Sequence, residues 1–149
     1  MNPEFRNLRL QQLQRVLTPF LAAQSTPRPS KGWIRAMREA TGITVREMAK
    51  RLHKAPSVAA RLEGSEAEYR ITLGKLREAA DALGCQLVYA LVPKNGSTHE
   101  LAQEHSRKQA AENVRAVEQS MALEDQAVGG IEEKIEVETR RLLKRSGRK

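Results

Sequence analysis

The chain has 149 residues, 40% hydrophobic but only 3% aromatic and 30% charged, so a core of Leu, Ile, Val, Ala and Met is expected, which suits helices better than sandwiched sheets. Its formal net charge of +8, from 26 Lys and Arg against 18 Asp and Glu, favours a polyanionic partner. Cys85 is the single cysteine, which excludes an intrachain disulfide and a cysteine-built metal site, and no apolar run approaches the roughly 20 residues that span a bilayer.

Phe5, Leu8, Leu10, Leu13, Val16, Leu17, Phe20 and Leu21 recur every three or four residues, predicting an amphipathic N-terminal helix over 1–23. Pro27 and Pro29 make 24–31 a linker, and Arg28 between them reads as part of it rather than as an arm for the minor groove. A domain over 32–93 follows. Its first helix runs from Gly32 to about Thr41 with Trp33, Ile34, Met37 and Ala40 on one side.

Two short helices then flank Lys54–Pro56. Thr44 and Glu47 have the spacing of a capping box. Ala49 suits a close helix crossing, and Pro56 fits a first helical turn, where no donor is needed. Met48, Leu52, Ala59 and Leu62 fall on the inner faces. A further helix over Thr72–Leu83 ends at Gly84. Leu87, Val88, Tyr89, Ala90, Leu91 and Val92, before Pro93, are predicted to form one short β-strand. A lone strand has unpaired edges, so pairing with a second copy, and hence a homodimer, is expected. From 97 to 149 the chain reads as a helical extension broken at Gly129-Gly130, its apolar stripe so thin that the extension is expected to be either mobile or completed by a partner.

Basic residues concentrate in the middle. Between Gln24 and Gly64 stand Arg28, Lys31, Arg35, Arg38, Arg46, Lys50, Arg51, Lys54 and Arg61 against Glu39, Glu47 and Glu63. The block from Ile43 to Leu52, followed by Ser57-Val58-Ala59-Ala60-Arg61-Leu62-Glu63, resembles the Xre/Cro-like helix-turn-helix family. That resemblance implies a mainly α fold: a five-helix domain over about Gly32–Leu83, here with an N-terminal helix, the short dimerising strand and the C-terminal helical extension. His53 stands where the family usually has glycine in the turn, and Ala55-Pro56 where it often has a serine cap and a base-reading glutamine.

If the second motif helix enters the major groove of double-stranded DNA, its exposed face offers Pro56, Ser57, Ala60 and Arg61 for base reading, Arg61 being able to grip a guanine edge in a bidentate contact. Arg35, Arg46, Lys50 and Lys54 would hold phosphates.

Lys31-Gly32-Trp33-Ile34-Arg35, Leu87 to Pro93 and Met121-Ala122-Leu123-Glu124-Asp125-Gln126 together resemble the mobile mystery protein A family. What that resemblance implies is an autoregulating repressor and antitoxin, paired with a Fic-domain protein encoded nearby. The stretch Ser120 to Asp125 is similar to the inhibitory helix of Fic regulators, in which a Ser or Thr is followed four residues on by Glu; Ser120, Glu124 and Asp125 are the candidate partner-inhibiting residues. An inhibitor of that partner with little specific DNA binding is the other function class. His53, His99 and His105 lack metal-ligand spacing and no glycine-rich phosphate cradle is present, so neither catalysis nor a cofactor is expected. A cytoplasmic, nucleoid-associated protein without signal peptide or membrane contact is the expectation.

Overall fold

The computed structural model describes residues 2–123 and 130–145. Among them seven α-helices follow in order: α1 (Pro3–Leu17), α2 (Trp33–Ala40), α3 (Val45–Arg51), α4 (Pro56–Ala67), α5 (Leu73–Ala82), α6 (Thr98–Leu123) and α7 (Ile131–Arg145), with two short 3₁₀ turns after α1. They fall into two compact units, Met1–Gln24 with Leu91–Lys149, and Ser25–Ala90.

The Ser25–Ala90 unit is built from α2 to α5 around Ile34, Met48, Leu62, Ala79 and Leu83, with Ile43, Leu52, Ile71, Leu76 and Cys85 closing its edges. Met48 is wholly buried. The capping box forms: the Thr44 N–H donates to Glu47 Oε2 at 2.7 Å and the Glu47 N–H donates to Thr44 Oγ1 at 3.2 Å, so α3 begins at Val45. The turn leaving α3 needs a left-handed residue, and His53 supplies it at φ 54°. Buried Ala49 and Ala59 let α3 and α4 approach closely. Pro56 starts α4 with no side-chain cap from Ala55.

In the other unit α6 and α7 pack through Ala110, Val114 and Ile135, flanked by Ala111 and Leu142, and an ion pair joins Glu118 of α6 to Lys134 of α7. The Gln14 amide holds α1 to the start of α6: its Nε2 donates to the Gly96 carbonyl at 2.9 Å and its Oε1 accepts from the Thr98 N–H at 2.8 Å. The Thr98 hydroxyl donates to the Leu10 carbonyl. Of the N-terminal stripe, Leu17 is buried and Leu10 and Leu21 half-buried, while Phe5, Leu8, Leu13 and Val16 stay exposed.

Two expectations are corrected. Among the described residues there is no β-strand: Leu87, Val88, Tyr89, Ala90, Leu91 and Val92 run without regular structure. Their composition favours extended backbone, but a strand exists only as part of a ladder, and no described segment pairs with this one. None of Gln86 to Val92 makes a backbone–backbone hydrogen bond among the described residues. The five-helix domain over Gly32–Leu83 is also corrected: four helices occupy that range. Gly84, at φ 72°, stops α5, and the chain after it does not resume a helix before Thr98.

Candidate nucleic-acid interface

Two buried carboxylates fix how α4 is rotated about its own axis. Glu63 forms an ion pair with Arg38 of α2 in which the side chains are only 9% and 12% exposed. The same guanidinium donates from Nη1 to the Ile43 carbonyl at 3.2 Å, so it ties α4, α2 and the turn into α3 together. The hydrogen bond to Glu63 also holds the Arg38 guanidinium above its ordinary value, against the opposing effect of burial.

One turn further on, Glu66 is buried and caps α2. It accepts from the Trp33 N–H at 2.7 Å and from the Ile34 N–H at 2.8 Å. A carboxylate suits that position because the first N–H groups of a helix lack internal partners and carry partial positive charge. Gly32, at φ 85°, makes the fit possible, since a Cβ there would lie 2.7 Å from Glu66 Oε2.

Arg28 closes the same end. Its Nη1 and Nη2 donate to the carbonyls of Glu66 and Ala67 at 2.9 and 3.0 Å, and its guanidinium lies 3.9 Å from the centroid of the Tyr69 ring. The linker is thus strapped to the C-terminal end of α4, with Arg28 facing protein.

With Ala59, Leu62, Glu63 and Glu66 inward, the opposite face of α4 carries Ser57, Ala60, Arg61 and Gly64, spaced i, i+3, i+4 and i+7. All four are exposed, as is Pro56. Neither the Ser57 nor the Arg61 side chain makes a hydrogen bond or ion pair among the described residues, because the acid nearest Arg61 in sequence, Glu63, is engaged by Arg38 on the other side. The rim is basic: Arg46, Lys50 and Lys54 are exposed. Arg35 is committed to Glu39 at 2.7 Å, which holds the Glu39 carboxyl below the ordinary glutamate value.

Residues 34–89 match the family model described as helix-turn-helix. This segment is a helix-turn-helix domain of the Xre-like type. The match is to a DNA-binding regulatory domain rather than a catalytic one. No curated protein and no solved structure matches the chain. In the helix-turn-helix domain α3 and α4 are the motif's two helices, and α4 stands where such domains carry the helix that enters the major groove.

The domain also brings forward side chains that the sequence reading left out. Arg61 shares a hollow of about 120 Å³ with Ser65, Arg70, Thr72 and Lys75. Arg70 pairs there with the exposed Glu68, and Thr72 caps α5 through the Lys75 N–H. The signal lay just past Gly64, where the count of basic residues ended: Arg70 and Lys75 follow α4 directly and flank the Thr72 cap.

Of the three residues expected to inhibit a partner, Ser120 is exposed near the end of α6, and Glu124 and Asp125 lie outside the described residues. Among the described residues no cluster of three His, Cys, Asp or Glu side chains is placed to hold a metal, and no helix is long and apolar enough to cross a membrane.

Proposed function

We propose that the chain is a sequence-specific transcriptional repressor that inserts α4 into the major groove of double-stranded DNA. Ser57 and Arg61 read base edges, with Pro56 and Ala60 lining the approach. Arg46, Lys50 and Lys54 hold phosphates, joined by Arg35 when it releases Glu39. The observation that carries this reading is the rotation of α4: Glu63 and Glu66 are anchored inward, leaving Ser57 and an unpaired Arg61 outward on a basic surface. A guanidinium so placed suits a bidentate contact with guanine O6 and N7. Two chains on half-sites roughly 34 Å apart are the stoichiometry proposed, and it draws on no strand pairing.

Titration of the full chain against its own upstream DNA, at several salt concentrations and with random-sequence competitor, tests the reading. Binding that survives competitor and weakens with salt is expected. Binding that random DNA removes completely would leave the inhibitor reading in its place.

We further propose that the repressor acts as the antitoxin for a Fic-domain protein encoded beside it. Support for this comes from the resemblance of Lys31–Arg35, Leu87–Pro93 and Met121–Gln126 to mobile mystery protein A, and from the Ser120 to Glu124 spacing. Co-purification with the neighbouring gene product and loss of neutralisation in Glu124→Gly are the expected outcomes; full neutralisation by that variant rejects the role of Glu124.

A further inference from the structure

The readers of α4 and its anchors sit toward opposite ends of the helix. Ser57 and Arg61 lie in the N-terminal half, where Ala55 supplies no side-chain cap, whereas Glu63 and Glu66 hold the C-terminal half against α2. A helix rises about 1.5 Å per residue, so Ser57 stands about 15 Å from Ala67 along the axis, and a tilt of about 4° at the anchored end carries Ser57 sideways by about 1 Å. Good hydrogen bonds span a range of only about 0.5 Å in heavy-atom distance, so a tilt that small decides whether a side chain meets a base edge.

The anchored end is closed by Arg28 and Tyr69. α4 finishes in a Schellman motif: the Tyr69 N–H donates to the Glu66 carbonyl at 3.0 Å and the Arg70 N–H to the Ser65 carbonyl at 2.7 Å. This places Tyr69 at the left-handed position usually given to glycine, and its φ is 58°. A tyrosine is strained there. Its side chain joins no core, since the residue is 79% exposed, and its hydroxyl makes no hydrogen bond among the described residues. What the ring does carry is the Arg28 guanidinium, 3.9 Å from its centroid. The same guanidinium fills the Ala67 carbonyl, which takes no backbone N–H among the described residues, and shares the Glu66 carbonyl with the Tyr69 N–H. A cation also suits the partial negative charge of a helix C-terminus. Arg28 precedes the segment that matches the family model, which begins at residue 34.

We propose that Arg28 is a positioning residue for base reading: clasped between Tyr69 and the last carbonyls of α4, it fixes the tilt of that helix and with it the reach of Ser57 and Arg61. The inference rests on the reading of α4 as the helix that enters the major groove. A strained, exposed tyrosine is a costly way to end a helix where glycine would serve, and backbone strain of this kind collects where function requires a particular geometry. With both Nη atoms on protein carbonyls, Arg28 acts through α4 rather than on a base.

The test is the base-preference profile of the full chain and its variants, selected from a randomised duplex pool, with thermal melts alongside. Wild type should prefer a sequence. Arg28→Ala and Tyr69→Gly should each lower discrimination about fivefold or more, part of what one bidentate base contact supplies. Affinity for random duplex, set by phosphate contacts, should change less than about twofold. Tyr69→Gly keeps the left-handed turn without its strain, so its melting temperature should stay within a few degrees of wild type. Lost discrimination in a variant that folds as well as wild type is a result that a purely structural role does not produce. Tyr69→Phe, the conservative variant, keeps the ring and should restore the wild-type profile. Arg28→Lys, whose ammonium lacks the planar fork that spans two carbonyls, should fall between. Unchanged profiles in Arg28→Ala and Tyr69→Gly beside a selective wild type would overturn the proposal and leave the reading of α4 standing. Loss of discrimination in Arg28→Ala alone, with Tyr69→Gly as selective as wild type, would also overturn it. A wild type without sequence preference overturns the repressor reading, and the proposal with it.

Discussion

Arg38→Met is the sharpest probe of how α4 is held. The variant keeps most of the side-chain stem that packs between α2 and α4 but removes the charge beside Glu63, whose side chain is 9% exposed. A buried carboxylate stripped of its partner costs about 3–5 kcal/mol. The lost hydrogen bond to the Ile43 carbonyl adds about 1 kcal/mol. A loss of about 4–6 kcal/mol at pH 7 is therefore expected.

Trp33, the only tryptophan, opens α2 and lies in this unit, so its fluorescence in urea follows the unit's unfolding directly. Replacing the pair together, Arg38→Met with Glu63→Leu, should recover most of the loss, as apolar substitution of a whole buried pair often does. A single variant costing under about 1 kcal/mol would refute the reasoning from burial.

Thr44→Ala should cost about 0.5–2 kcal/mol at pH 7 by removing the cap of α3. Hydrogen bonding from the Thr44 backbone, then its hydroxyl, holds the Glu47 carboxyl below its ordinary value. A depressed carboxylate contributes stability above about pH 4.3, its unfolded value, and loses it as pH falls through the lower folded value; the variant keeps the backbone bond to Glu47, so the gap between thermal melts of wild type and variant should narrow in acid without closing. His53→Gly should raise stability by about 0.5–1 kcal/mol, relief of left-handed strain exceeding the added chain entropy, and an unchanged urea midpoint would argue against strain at that turn. Gly32→Ala should cost about 2–4 kcal/mol, since it adds strain at φ 85° and drives a Cβ into the Glu66 carboxylate that caps α2; a circular-dichroism melt within about 1 °C of wild type would contradict that packing.

Local chemistry was the legible part of this sequence. The Thr44–Glu47 spacing, the small Ala49 at the crossing and Pro56 in a first turn each specify backbone geometry within a few residues, and each has its counterpart in the structure. What depended on distant partners was hidden. Glu63 is two residues from Arg61, and i, i+2 positions on a helix do not face each other; its partner Arg38 lies 25 residues away. Glu66 looks like an ordinary surface acid until Gly32 brings the start of α2 against it. Arg28, isolated between two prolines, gives no sign that two carbonyls and Tyr69 await it. The strand expected at Leu87–Val92 failed for a related reason: β-branched and aromatic side chains favour extension, but pairing is a property of two segments.

The most direct test of the α4 assignment is the base-preference profile of wild type and Arg61→Ala, selected from a randomised duplex pool at one salt concentration. Loss of about 1–3 kcal/mol of discrimination at one or two base positions, with non-specific affinity nearly retained, is the outcome expected of a side chain that reads a base edge. Identical profiles for the two proteins, or a drop in affinity spread evenly over every sequence, would contradict it and leave Arg61 as a backbone contact at most.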